Sequence, residues 1–268
     1  MRAKKRYGQH FLQPAWADRL VAAIDPRADE WFVEIGPGPG ALTLRLAPRV
    51  AGVTAVELDA ELVSLLRPQV PANVTLLQAD FLDVDLAAVG PRRAFRVAGN
   101  LPYNVSSPIL FALIAAYRRG TAIVDATLML QREVAARLHA APGTREYGVL
   151  SIFVQLHADV RPLLSLPPGA FRPVPQVHSS VVNLRFRAPS VSIPDEGAFE
   201  AMVRSMFTKR RKTLVNALRA YAVTRGRDVR AALTSAGIDP ARRPETLQLT
   251  ELARLADFFA ANSGRAVL

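Results

Sequence analysis

The chain has 268 residues, half of them hydrophobic, which suffices for one large domain and one small one and excludes wholesale disorder. It contains no cysteine, so disulfides, thiolate zinc sites and cysteine nucleophiles are excluded together. Its net charge of +11 suits a polyanionic partner, although arginine-rich coding alone would also raise it.

The first residues, "MRAKKRYGQHF", are basic but have no apolar core behind them, unlike a secretory signal. No apolar run reaches the roughly 18 residues of a membrane span, and the four histidines (His10, His139, His157, His178) lack metal-ligand spacing. A soluble cytoplasmic protein without metal or membrane partner is expected. "PAWADRLVAAI" (14–24) reads as a helix opening at Pro14. Then come the strand "EWFVEIG", the helix "ALTLRLAPRV", the strand "GVTAVELD", the helix "AELVSLLRPQV" and the strand "NVTLLQAD". "RAFRVAGN" is a fourth strand, "SSPILFALIAAYRR" a helix, "TAIVDATLMLQ" a fifth strand and "REVAARLHA" a helix behind it. Such alternation implies an α/β fold with a mostly parallel, doubly wound sheet. Past Tyr147, "VLSIFVQLHADVRPLLSL" and "SSVVNLRFR" read as strand pairs without helices between them, an antiparallel edge. "RAPSVSIPDEG" (187–197) reads as a linker, and four segments of helical spacing follow it. Two domains are expected: 1–187 with the sheet, and 188–268 as a small helical domain.

Three strand ends carry a cofactor pattern. "VEIGPGPGALT" puts Gly36, Gly38 and Gly40 between the first strand and its helix, where the backbone can approach a ligand closely. Glu57 ends the next strand, twenty-one residues past Gly36, where an acid binds ribose hydroxyls; Asp59 can cap the helix that follows. Asp80, ending the third, can accept from an adenine amine, and Phe81 can pack on the ring. An NAD-binding domain is the rival, but its G-x-G-x-x-G differs from the G-x-G-x-G found here, and no Walker lysine follows. The loop suits adenosine without a pyrophosphate, hence S-adenosylmethionine, with S-adenosylhomocysteine as the product.

The fourth strand ends in "GNLPY", residues 99–103. An exocyclic base amine has its lone pair delocalised into the ring, so a methylating site must favour a pyramidal nitrogen. The Asn100 side-chain oxygen and the Leu101 carbonyl can accept from its two N–H bonds. Pro102 restricts the residue before it, and Tyr103 offers a face to a flipped-out base. Alone, the tetrapeptide fits a helix entry with a core tyrosine equally well.

With these residues the chain resembles the ribosomal RNA adenine dimethyltransferase family. The resemblance also rests on "KRYGQHFL", "VELD", "QADFL", "LMLQREVAARL", "PPGAFRPVPQVHSSVV", "FTKRRKTLVNAL" and "RPETL", and spans nearly the whole chain. It implies a Rossmann-like class I methyltransferase domain and an RNA-binding helical domain. The implied reaction dimethylates N6 of two adjacent adenosines near the 3′ end of small-subunit (16S) ribosomal RNA. The implied partner is that RNA within an assembling small ribosomal subunit, bound by a monomer. His10 and Leu12 would help cover the cofactor, with Gly36 at its methionine end. Phe171 would be a second aromatic on the target base, opposite Tyr103. Lys4, Lys5 and Arg6, with Lys209, Arg210, Arg211 and Lys212, would contact RNA phosphates. His178 stands where an acid is more usual and is given no role. A DNA adenine methyltransferase and an assembly factor that binds without catalysis remain the alternatives.

Overall fold

The computed structural model describes residues 9–91 and 93–260, which form two compact units. One comprises the chain up to Ala136 together with Ala158–Arg187, the other Arg137–His157 together with the chain from Ala188.

In the first unit a short strand β1 (Phe11–Leu12) precedes α1 (Pro14–Ile24). The alternation then runs β2 (Trp31–Ile35), α2 (Thr43–Leu46), β3 (Gly52–Glu57), α3 (Ala60–Leu66), β4 (Val74–Gln78), α4 (Leu86–Val89), β5 (Phe95–Asn100), α5 (Ser106–Arg118), β6 (Ile123–Gln131) and α6 (Arg132–Leu138). After α7 (Val149–His157) come β7 (Ala158–Leu166), β8 (Phe171–Arg172) and β9 (Ser179–Phe186). The seven-stranded sheet has the order β4-β3-β2-β5-β6-β9-β7, parallel from β4 through β6 and antiparallel at β9 and β7. β1 pairs antiparallel with β8 in a separate ribbon.

Burial on both faces explains why the parallel strands read as apolar runs. Every residue of β3 is buried. Phe32, Val53, Ala55, Ala98 and Met129 share one core cluster with Ala17, Leu20, Val21 and Ile24 of α1. By alternation Val33, Val97 and Leu128 face the other way, and each is fully buried. At the start of β5, Arg96 donates to Asp125 (3.0 and 3.1 Å), Glu30 (3.0 Å) and the Ile24 carbonyl (3.0 Å), tying the end of α1 to the sheet.

The expected strand over 149–157 is instead the helix α7. Nearly every residue of it is buried, so its apolar run has no alternation to separate strand from helix. The Gly148 amide donates to Ser151 Oγ at 3.0 Å and opens the first turn. The antiparallel edge forms from β7 and β9 alone.

The second unit adds α8 (Glu196–Phe207), α9 (Leu214–Thr224), α10 (Val229–Ser235) and α11 (Leu249–Ala260), at the four segments of helical spacing. Phe199, Met202, Val203 and Met206 of α8 are buried at helical spacing, as are Leu214, Ala217, Leu218 and Tyr221 of α9. Asp195 and Asp228 cap α8 and α10 by accepting the amides of Ala198 and Ala231. Residues 137–157 belong here because their polar groups pair here. Buried Tyr147 donates to the Leu247 carbonyl (2.9 Å) and the Gly143 amide to that of Glu245 (2.7 Å). The sheet unit is therefore discontinuous within 1–187. No helix among the described residues is long and apolar enough to cross a membrane.

Candidate active site

The order of the sheet reverses between β2 and β5, and a crevice opens at the C-terminal ends of such strands. A pocket lies there, lined by residues at and beyond the ends of β2, β3, β4 and β5 and by the segment at residues 9–12.

The glycine turn follows β2. Gly36, Gly38 and Gly40 all have positive φ (65°, 58° and 90°), which a side chain would strain. A Cβ on Gly38 would also meet the Phe11 ring at 3.3 Å, and one on Gly36 would come within 4.0 Å of the Asn100 carbonyl oxygen. At the end of β3, Glu57 accepts the Gly38 amide (3.0 Å) on one oxygen and the Asp59 amide (2.9 Å) on the other. It thus fixes the glycine turn as well as lining the pocket. Burial raises the Glu57 carboxyl above its ordinary value, partly offset by the amides of Asp59 and Gly38. Asp59 caps α3 through the Glu61 amide. Asp80 accepts the Leu82 amide at 2.9 Å, and both Asp80 and the buried Phe81 line the pocket.

At the end of β5 the Asn100 side-chain amide donates to the His10 carbonyl at 2.7 Å. That bond consumes an N–H and leaves Asn100 Oδ1 as the acceptor available to a ligand. Leu101 is buried, its amide donating to the Met129 carbonyl (3.2 Å), while Pro102 and Tyr103 are half-buried on the pocket wall. The His10 ring stacks on that of Tyr103, with centroids 5.5 Å apart and planes 25° apart. His10 Nδ1 is bonded to the Pro173 carbonyl at 2.8 Å. Leu12 lines the pocket and pairs with Phe171 in the β1–β8 ribbon. Gln9 reaches Asp59 at 3.1 Å, and Gln13 donates to the carbonyls of Gly169 and Ala170. Residues 9–13 therefore strap across the crevice.

Phe171 stands apart from the pocket in this structure. It is fully buried in the cluster with Leu12, Leu20 and Val181, and it does not line the pocket. Pairing with β1 turns its ring into the core, so in this arrangement it anchors the ribbon. Lys4, Lys5 and Arg6 lie outside the described residues. Lys209, Arg211 and Lys212 are exposed in the turn between α8 and α9, whereas Arg210 is drawn inward by Glu245 (2.7 Å) and the Thr144 carbonyl (3.1 Å). His178 is exposed and its carbonyl accepts the Arg132 amide.

Glu34, the penultimate residue of β2, had no role in the sequence reading. It lines the pocket at 2 % exposure, and its Oε2 has no hydrogen-bond partner among the described residues. Burial pushes its carboxyl up to about 8; Thr43 offsets part of the rise and the neighbouring Glu57 adds to it. A carboxylate inside an apolar strand was the available signal. Gly99 was missed too: a Cβ there would lie 2.7 Å from the Ile35 carbonyl oxygen, so glycine lets β5 lie against β2 beside the pocket. No cluster of metal-ligating side chains occurs among the described residues.

This is the Rossmann-like fold of class I methyltransferases, and solved structures share it. A dimethyladenosine transferase from Plasmodium falciparum aligns with a TM-score of 0.78 at 22% identity, covering 94% of this chain and 98% of that one. The 23S rRNA methyltransferase ErmE aligns with a TM-score of 0.67 at 28% identity, covering 93% and 99%. The family model described as ribosomal RNA adenine dimethylase matches residues 1–261, and the chain belongs to that family. A ribosomal RNA small subunit methyltransferase A from Geobacter metallireducens is 43% identical over 99% of this chain and 98% of its own length. One from Xanthomonas campestris is 42% identical over 95% of each.

Proposed function

We propose that the protein uses S-adenosylmethionine to dimethylate N6 of two adjacent adenosines near the 3′ end of small-subunit (16S) ribosomal RNA, within an assembling small subunit. Family membership supports adenine dimethylation of ribosomal RNA. The single observation that carries the chemistry is the Asn100 amide, turned by the His10 carbonyl so that its oxygen is free beside the glycine turn.

The residues present fit the cofactor. Glu57 and Asp80 stand at the ends of adjacent strands with Phe81 beside Asp80 in the pocket lining, an arrangement that suits a ribose and an adenine. The unpartnered Glu34 oxygen at the wall suits the ammonium of a methionine moiety. Gly36, Gly38, His10 and Leu12 would complete the enclosure. When bound, S-adenosylmethionine supplies an electrophilic methyl group on a sulfonium centre.

The remaining work falls to the chain. Asn100 Oδ1 and the Leu101 carbonyl accept from the target amine, favouring the nitrogen as it becomes pyramidal in the transition state. Pro102 holds Leu101 extended, and Tyr103 stacks the unpaired base. The methylated nitrogen is acidic enough to lose its proton to water, so no strong base is needed. A second transfer requires the pocket to admit an N6-monomethyl base. Phosphate contact falls to the exposed Lys209, Arg211 and Lys212, with Arg210 held structurally.

Mapping reverse-transcription stops on small-subunit RNA after reaction tests the target. Two adjacent blocks near the 3′ end are expected; modification elsewhere, or on a single adenosine, would reject the assignment.

A further inference from the structure

Tyr103 follows β5 in the turn before α5, where its carbonyl accepts from Ser106 Oγ (3.2 Å), a bond that holds the backbone but not the plane of the ring. A face offered to a base is useful only when that plane is set, because the stacked base must present its amine at one place. The ring is set from two sides. His10 lies against it, and the Tyr103 hydroxyl meets Ser179 Oγ at 2.8 Å.

Ser179 is well suited as an anchor. It is the first residue of β9, paired with Gln131 of β6 on one side and Leu166 of β7 on the other, and it is 1 % exposed. Its backbone is held by strands on both flanks, so its hydroxyl is a fixed point of the sheet. It is not part of the pocket lining. Burial raises the Tyr103 phenol, with the Ser179 bond offsetting part of the rise, so the hydroxyl stays protonated near neutral pH.

We infer that Ser179 is a positioning residue: through its bond to the Tyr103 hydroxyl it fixes the plane on which the target adenine stacks. The inference rests on the stacking role of Tyr103 proposed above. It also gives the "HSSVV" segment a function that the neighbouring, exposed His178 does not supply.

A double-mutant cycle on small-subunit particles lacking the modification tests it. Ser179→Ala and Tyr103→Phe remove the same bond from opposite ends and should each lower kcat by about three- to tenfold. The double variant should be no slower than either single one. Cofactor affinity and stoichiometry by calorimetry should match wild type, since the bond removed lies between the Tyr103 hydroxyl and a residue outside the pocket lining. Losses that multiply in the double variant, or wild-type kcat in Tyr103→Phe, would overturn the inference; the latter decides the matter even if Ser179→Ala fails to fold. Tyr103→Ala separates the two claims. Full turnover in that variant would overturn the stacking role as well, whereas a large loss beside a silent Tyr103→Phe would overturn only the anchor.

Discussion

Replacing Glu34 by glutamine should remove a pH-dependent burden from the fold. The carboxyl is almost wholly buried and is pushed up from 4.5 to about 8. In the unfolded chain it ionises at its ordinary value, so between pH 4.5 and 8 the folded state holds a proton that the unfolded state has lost. Stability therefore falls as pH rises through that window; below it both states are protonated and the effect vanishes. Each unit corresponds to ~1.4 kcal/mol, so wild type should lose up to ~4 kcal/mol relative to Glu34→Gln between about pH 5 and pH 8. At roughly 2–4 °C per kcal/mol for a chain of this size, the gap in melting temperature should shift by about 10 °C. Scanning calorimetry of both proteins without cofactor, across that range, gives the difference, because titrating groups that do not interact with Glu34 cancel and only its neighbour Glu57 is coupled to it. Melting curves that run parallel with pH would refute the reasoning.

Other positions give sharper, smaller tests. Gly99→Ala puts a methyl 2.7 Å from the Ile35 carbonyl oxygen, which should cost ~1–3 kcal/mol of stability and slow methyl transfer; an unchanged melting temperature would contradict the packing. Glu57→Ala strands the amides of Gly38 and Asp59, so the calorimetric dissociation constant for S-adenosylmethionine should rise at least about tenfold, and wild-type affinity would refute it. Arg96→Met unpairs Asp125 and Glu30 at the far end of β5 and should cost ~3 kcal/mol or more. Its kcat well below the melting point should equal wild type, and a large fall there would mean that the clamp reaches the pocket.

Much of the fold was legible, although the four-residue α4 after the more exposed β4 was too short to show a period. It was legible because the central parallel strands, buried on both faces, read as largely apolar runs, most of them followed by a segment of helical spacing. The same property hid α7, whose residues are apolar nearly all round and so carry neither period. Residues 137–157 join the helical unit through Tyr147 and Gly143, whose partners lie about a hundred residues away. No local pattern announces such pairing. In the pocket, Gly36, Glu57, Asp80 and Asn100 were readable because each sits at a strand end, where topology alone brings them together. The burial of Phe171 was not legible, because an aromatic between prolines looks the same whether it faces a ligand or, as here, a two-residue strand turns it into the core. Ser179 and the partner that Arg210 finds in Glu245 depend on side-chain contacts between distant segments. Glu34 could have been found from the cost of a carboxylate in an apolar strand.

The central claim is tested most directly by transfer of label from methyl-labelled S-adenosylmethionine to three substrates. These are small-subunit particles lacking the modification, naked small-subunit RNA and duplex DNA, each digested to nucleosides and run with wild type and Asn100→Ala. The account predicts N6,N6-dimethyladenosine from the particles with wild type, and at least a hundredfold less with Asn100→Ala at unchanged cofactor affinity, on the order of magnitude seen when a polar group acting on the transition state is removed. Monomethyladenosine in DNA, or full turnover by Asn100→Ala, would contradict it.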